Sequence, residues 1–233
     1  MTDQLQQTTS DIKGIVLDFD GVILDSNHLK ADAFRQLFSD FPQHGDEIYQ
    51  LHMTRGGMAR DLKLRTIFKD ILSQPFTEDE IKRRGAEFGW LVDGGMMESP
   101  FVPGAEEFLR RYSRHYPLFI ASGTPQDEMR DHARRRGLAP YFLEVFGSPR
   151  KKGRILRDLL SDKVWRARDV LFIGDAIDDL EGAQEAGVPF VGLVQPGNTN
   201  PFQGAELVAT VENLGDLHRR WPGVLETLKA WAP

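Results

Sequence analysis

Five short runs rich in β-branched and aromatic residues, GIVLDF, PLFIAS, LEVFG, DVLFIGD and PFVGLV, punctuate this chain, and stretches with helical periodicity lie between them. Strands alternating with helices predict a parallel sheet with crossover helices packed on it. The helices are expected near residues 104–115, 125–137, 151–161 and 178–187. Before the second of them, TPQD offers Thr124 as N-cap, Pro125 at the first helical position and Asp127 three residues after the cap. A loop-to-helix boundary is therefore expected within residues 122–125.

The alternation breaks once. Residues 26 to about 100 carry helical patterns (SNHLKADAFRQLFSD, MARDLKLRTIFKDIL and TEDEIKRRGAEFGWLV) and no strand pattern, which predicts a helical insert. Gly21 precedes it and GGMMESPFVPGA follows it, punctuation that suits hinges between a core and a lid. The expected division is an α/β core built from residues 1–25 and 100–233, with residues 26–99 as a helical cap. At 233 residues, 40% of them hydrophobic, the chain is long enough to bury the core this division requires.

Asp18 and Asp20 stand one residue apart at the end of the first apolar run. Residues i and i+2 of an extended segment point the same way, so both carboxyls should face one site beyond the strand's carboxyl end, where open parallel sheets bind ligands. DVLFIGD delivers Asp175 to the same rim, with Asp178 and Asp179 just after it. Without a cation, such acids would repel one another strongly. Mg²⁺ resolves the conflict, because it takes a few carboxylates, keeps several waters and completes its shell with a substrate phosphate. A turn-favoured aspartate would explain DFDG alone, but not the second acidic strand end.

Two further elements suit a phosphate ester. At the end of LFIASGT, Ser122 supplies a hydroxyl while the Gly123 and Thr124 amides adjoin a helix N-terminus, an arrangement that receives anions. In GSPRKKGRIL, Lys151 or Lys152 precedes another helix and can neutralise charge as a compact cation.

Charge and composition narrow the function. The 29 Lys and Arg against 35 Asp and Glu give a net charge of -6, which argues against a general nucleic-acid binder. Residues 110–168 hold 15 basic and 6 acidic residues, a local excess of +9. RDHARRRG and RILRDLLSD are amphipathic, so solvated helix faces are the expected form of that charge, with a polyanion-binding patch as the alternative. Cysteine is absent, so any metal must be held by oxygen or imidazole ligands. The histidines outside the catalytic loop show no zinc-ligand spacing. The first residues, MTDQLQQTTSD, are polar and lack a signal-like apolar core, and no later apolar run approaches the ~20 residues that span a bilayer. A cytoplasmic location without a membrane partner is expected.

Taken in order, DFDGV, ASG, a loop lysine and GDAIDD resemble the four motifs of the haloacid dehalogenase superfamily of phosphohydrolases. PFVPGAEEFL resembles the segment that re-enters the core after a helical cap. The likeness covers essentially the whole chain and points to the phosphatase branch with such a cap, the phosphoglycolate phosphatase and β-phosphoglucomutase-like proteins. It implies a Rossmann-like parallel core and a Mg²⁺-dependent phosphohydrolase acting on a small phosphorylated metabolite.

Carried onto this chain, the resemblance implies Asp18 as a nucleophile that becomes an aspartyl-phosphate, and Asp20 as general acid and base. The latter role is helped by a carboxyl whose pKa lies near the working pH. Mg²⁺ would be held by the Asp18 and Asp175 side chains and the Asp20 backbone carbonyl, with Asp179, or else Asp178, holding a metal-bound water. The phosphoryl oxygens would meet Ser122, the amides that follow Asp18 and Ser122 (Gly123 for the latter), and Lys152, preferred to Lys151 for its spacing to Ile155 and Leu156. Gly153 stands where the commoner motif has proline after the lysine.

A departing alkoxide needs a proton donor and a halide does not, so Asp20 favours phosphate esters. The dehalogenases and phosphonate-cleaving relatives lack this second aspartate. A phosphosugar mutase keeps both and is the alternative activity, and a non-catalytic polyanion-binding module is the alternative from another class. Substrate choice is expected in the insert. There Arg55, beside Gly56 and Gly57, would contact an anionic or hydroxylated leaving group, with Arg60 and Lys63 on the next helix and Asn27 and His28 just beyond the catalytic loop. Monomer and homodimer are equally compatible with the chain.

Overall fold

A computed structural model describes residues 12–231, so the polar stretch MTDQLQQTTSD lies outside the described residues. Six strands, β1 (Gly14–Leu17), β2 (Leu118–Pro125), β3 (Phe142–Ser148), β4 (Val170–Gly174), β5 (Phe190–Leu193) and β6 (Ala209–Val211), form one parallel sheet in the order β3-β2-β1-β4-β5-β6. The strand order reverses between β1 and β4, which pair from Gly14 opposite Val170 to Leu17 opposite Ile173. That reversal opens a crevice at the carboxyl ends of the two strands, the place where such sheets bind ligands.

Alternation along the strands builds two cores. Ile15, Leu17, Ile120, Leu171 and Ile173 face one side, against α5 (Ala105–Tyr112), α6 (Gln126–Arg135) and α9 (Leu214–Ala230). Val16, Phe119, Ala121, Val170 and Phe172 face the other, against α7 (Lys152–Lys163) and α8 (Ile177–Ala186). With both faces covered, the strands read as continuous apolar runs.

The segment between β1 and α5 is helical, as its periodicity predicts, and contains α1 (Asn27–Leu37), α2 (Gly45–Thr54), α3 (Arg60–Thr66) and α4 (Glu78–Glu98). Its punctuation behaves differently from expectation at the far end. Gly94 and Gly95 lie inside α4, where Gly95 packs against the Leu29 side chain of α1. The two crossings to the sheet are instead tied to each other: Val102 N–H donates to Ile23 O at 3.0 Å and Asp25 N–H to Pro100 O at 2.9 Å.

The start of α6 also departs from the reading. β2 keeps pairing with β3 as far as Pro125 opposite Ser148, so Thr124 is a strand residue and Pro125, without a side-chain cap, precedes the helix. The basic stretch is spread over exposed ion pairs such as Arg134–Asp131, Arg154–Asp158 and Arg157–Glu185, each worth little alone. No described helix is long and apolar enough to cross a membrane.

Candidate active site

β1 ends at Leu17, two residues before the end of the GIVLDF run, and delivers Asp18 directly to the crevice. The Asp18 N–H continues the ladder to Ile173 O at 2.9 Å, and its Oδ1 accepts the Phe19 N–H at 2.7 Å. β4 ends at Gly174, so Asp175 leaves the neighbouring strand at the same level. Asp179 follows on the first turn of α8, where its Oδ2 accepts the Ala176 N–H at 3.0 Å. One oxygen from each of Asp18, Asp175 and Asp179 lies within 4.8 Å of the other two.

The loop after Asp20 can approach these acids only because residue 21 is glycine. Gly21 has a φ of +75°, and a Cβ there would lie 1.9 Å from Asp175 Oδ2. Across the crevice, Lys152 opens α7 and is buried, whereas Lys151 before it is exposed. The Lys152 ammonium stands 2.8 Å from Asp18 Oδ2 and also donates to Asp179 Oδ1.

Burial dominates the electrostatics. It drives Asp175 well above the ordinary carboxyl range, and the neighbouring Asp18 and Asp179 push in the same direction. Asp179 is pushed up to about 7 by burial, against the pull of Lys152. Burial also raises Asp18, while Asp179 and Asp18 together outweigh the desolvation of the Lys152 ammonium and raise its pKa. Three converging carboxyls, Asp18 and Asp179 buried and Asp175 partly so, with an oxygen-only donor set and suppressed ionisation, fit a hard divalent cation, whose charge would favour their ionised forms.

A stability signature follows. The folded state holds protons on Asp175 and Asp179 that an unfolded chain releases near pH 4. Their contribution is complete below that pH and is lost as the pH rises toward about 7. Thermal melts in chelator should therefore show this contribution declining from pH 5 to pH 8, and the gain on adding Mg²⁺ should grow over the same interval. A Mg²⁺ gain that is independent of pH would contradict the assignment.

Asp20 turns away from the triad. Its Oδ1 accepts the Ser26 hydroxyl at 2.6 Å and its Oδ2 lies 2.5 Å from the Lys30 ammonium, which also donates to Thr124 Oγ1 at 2.9 Å. Burial pushes Asp20 up, but Lys30 and Ser26 outweigh it and hold the carboxyl below its ordinary value. The expectation of a pKa near the working pH is thus corrected by a lysine of α1. Asp18 and Asp20 nevertheless line one small cavity of about 20 Å³, together with Gly123 and Thr124.

Ser122 is buried at the end of β2, and its Oγ accepts the Thr124 N–H at 3.1 Å. Gly123 lets the helical segment press onto the sheet, since a Cβ there would lie 2.8 Å from Gly57 O. Asn27 is directed at the acid cluster, donating from Nδ2 to Asp175 Oδ2 at 2.6 Å, so it steadies Asp175. Arg55 also departs from its expected place. Its guanidinium pairs with Asp178 at 2.8 Å and Glu181 at 3.0 Å, because the acidic first turns of α8 lie directly below the loop after α2. It fastens the helical segment to the core at the rim of a wider cleft of about 600 Å³.

Sequence reasoning missed Lys30 and His52 and gave Lys63 no role. All three are buried around the small cavity. A lysine on an amphipathic helix reads as surface, and only its position on the buried face of α1 or α3 could have marked it.

The model of the haloacid dehalogenase-like hydrolase family matches residues 12–187. The chain is 26% identical over 219 residues to a phosphoglycolate phosphatase of Vibrio vulnificus, a match that covers 90% of this chain and 96% of the relative. Its fold resembles that of a hydrolase from Pseudomonas syringae, with a TM-score of 0.76 at 18% identity, covering 90% of this chain and 98% of the other. It also resembles a HAD-hydrolase from Bacillus subtilis bound to magnesium, with a TM-score of 0.65 at 20% identity over 89% of this chain and 97% of the other. With the matched model spanning both acidic strand ends and the buried lysine between them, the chain belongs to the haloacid dehalogenase-like hydrolase family.

Proposed function

We propose that the chain is a Mg²⁺-dependent phosphatase that cleaves a small phosphorylated metabolite through an aspartyl-phosphate on Asp18. The observation that carries this reading is the contact of one buried ammonium, Lys152, with both Asp18 and Asp179, opposite Asp175. Asp18, Asp175 and Asp179, with the Asp20 carbonyl, would hold the ion, and the ion would neutralise charge on the phosphoryl group and the acids. Residues 26–99 act as the cap that excludes water and faces the leaving group.

The chain's own groups supply the rest. Asp18 is positioned by its two backbone hydrogen bonds to attack phosphorus while the bond to the leaving oxygen breaks. Lys152, the Ser122 hydroxyl and the Gly123 amide balance and orient the phosphoryl oxygens. Asp20, which lines the small cavity, would face the leaving group. Lys30 steadies its ionised form, the form that draws the proton from the hydrolytic water, and its protonated form serves the departing alkoxide.

Hydrolysis of p-nitrophenyl phosphate in Mg²⁺, lost in chelator and restored by Mg²⁺, is the expected result. Undiminished turnover in chelator would contradict the reading. With β-glucose 1-phosphate, release of inorganic phosphate and no isomerised product is expected, and an isomerised product would establish the mutase instead.

A further inference from the structure

The acid triad lies between two openings at the carboxyl edge of the sheet. On the β2 and β3 side, the cleft of about 600 Å³ is walled by Ser122, Pro125 and Ser148 and reaches Gly123 and Lys152. On the β5 side, a second cleft of about 390 Å³ lies between Leu193, the end of that strand, and the helices α1 and α2 of the insert. In the strand order β3-β2-β1-β4-β5-β6 the two clefts flank the ends of β1 and β4, and they share no lining residue.

Only one acid of the triad meets either cleft. Asp175 is partly exposed and lines the β5-side cleft, whereas Asp18 and Asp179 are buried, 3% and 0% exposed, and line neither. Asn27 stands at the same threshold, its Nδ2 on Asp175 Oδ2 at 2.6 Å. Among the described residues that line this cleft, Asp175 is the only carboxylate, and there is no lysine or arginine. Amides and hydroxyls from Gln50, Thr54, Gln195, Asn198 and Thr199 supply most of its other polar lining, with His28 and Tyr49 hydrogen-bonded to each other.

The remaining approaches are hostile to a cation. Arg150 and Lys151 line the 600 Å³ cleft with no carboxylate partner among the described residues, and beyond them the Lys152 ammonium covers Asp18 at 2.8 Å. An anionic ester is drawn to such a wall and a divalent cation is repelled by it. The small cavity beside Asp20, about 20 Å³, has room for about one water and not for a hydrated ion. Charge and size thus leave the β5-side cleft.

We propose that this β5-side cleft is the entry path of the divalent cation, whose amides and hydroxyls replace part of the ion's water and whose Asp175, beside Asn27, receives it. The inference rests on the reading that the triad holds a divalent ion. Its consequence is that the ion can be exchanged without clearing the opposite cleft, which is left to the ester.

The test reads metal exchange, not turnover. Release of Mn²⁺ from the loaded protein into an excess of colour-forming chelator is followed by stopped flow, and its Kd is measured by EPR titration. Gln50→Trp on α2 and Asn198→Trp beyond β5 alter exposed residues on opposite walls of the path, and Leu62→Trp alters an exposed residue of the wider cleft. An obstructed path slows uptake and release together, so at least one of the two plugs should lower the release rate by roughly tenfold or more at an unchanged Kd, while Leu62→Trp should stay within about twofold of wild type. Slowed release in Leu62→Trp, or unchanged release in both plugs, would overturn the path and leave the cation reading intact. So would slower release matched by an equally tighter Kd, the mark of an altered binding site. Absence of saturable Mn²⁺ binding to the wild-type protein would overturn the cation reading and the path with it.

Discussion

Asp18→Asn is expected to lower turnover of p-nitrophenyl phosphate by on the order of 10⁴-fold or more, the scale on which removal of a covalent nucleophile acts. The substitution keeps the shape of the side chain and removes its negative charge. Lys152 retains Asp179 as a partner, and Asp175 loses a repelling neighbour. The melting temperature in chelator should therefore hold or rise while activity disappears. A parallel loss of stability and activity would point to a structural role for Asp18, and steady-state rates beside thermal melts distinguish the two.

Lys152→Met is expected to damage both properties. Lys152 is the cation shared by Asp18 and Asp179, and its removal leaves a cluster of buried acids that includes Asp175 without a counter-charge. Breaking a buried pair from one side costs about 3–5 kcal/mol. For a chain of this length that corresponds to a fall of about 10 °C in Tm. Part of the loss should be regained at pH 5, where the acids take up protons, and part on adding Mg²⁺. Turnover should stay low in either condition, because the phosphoryl group also loses its balancing cation. A variant that melts like wild type in chelator at pH 8 would show that the acids do not depend on Lys152.

Much of the core was legible because its signals are local. β1, β2, β4 and β5 begin as continuous apolar runs, and the acids of the triad lie at or just beyond the ends of two of them, so chain order alone placed them on one rim. β6 escaped notice because three residues, ATV, carry no pattern. α9 was hidden by WPG, which reads as a turn, although Pro222 and Gly223 lie within the helix and Asn213 caps its start by accepting the Asp216 N–H at 2.8 Å. α2 buries only Gly45, Ile48 and His52, too few positions to show a period.

The cap side of the site was harder to read for a different reason. The places of Lys30, His52 and Lys63 depend on contacts between elements far apart in sequence, such as Lys30 of α1 with Thr124 of β2. Arg55 illustrates the converse. Its place beside Gly56 and Gly57 suggested a free arm over the substrate, but Asp178 and Glu181, one helical turn apart on α8, receive it at the rim. Charge complementarity across the chain decided both outcomes.

The most direct measurement is a single turnover quenched in acid, with the phosphoryl group located by fragmentation mass spectrometry. Phosphate carried on Asp18 in the wild-type enzyme, and on no residue in Asp18→Asn, is the result this account predicts. Complete turnover with no phosphorylated residue at any quench time, or with phosphate on a residue other than Asp18, would contradict it.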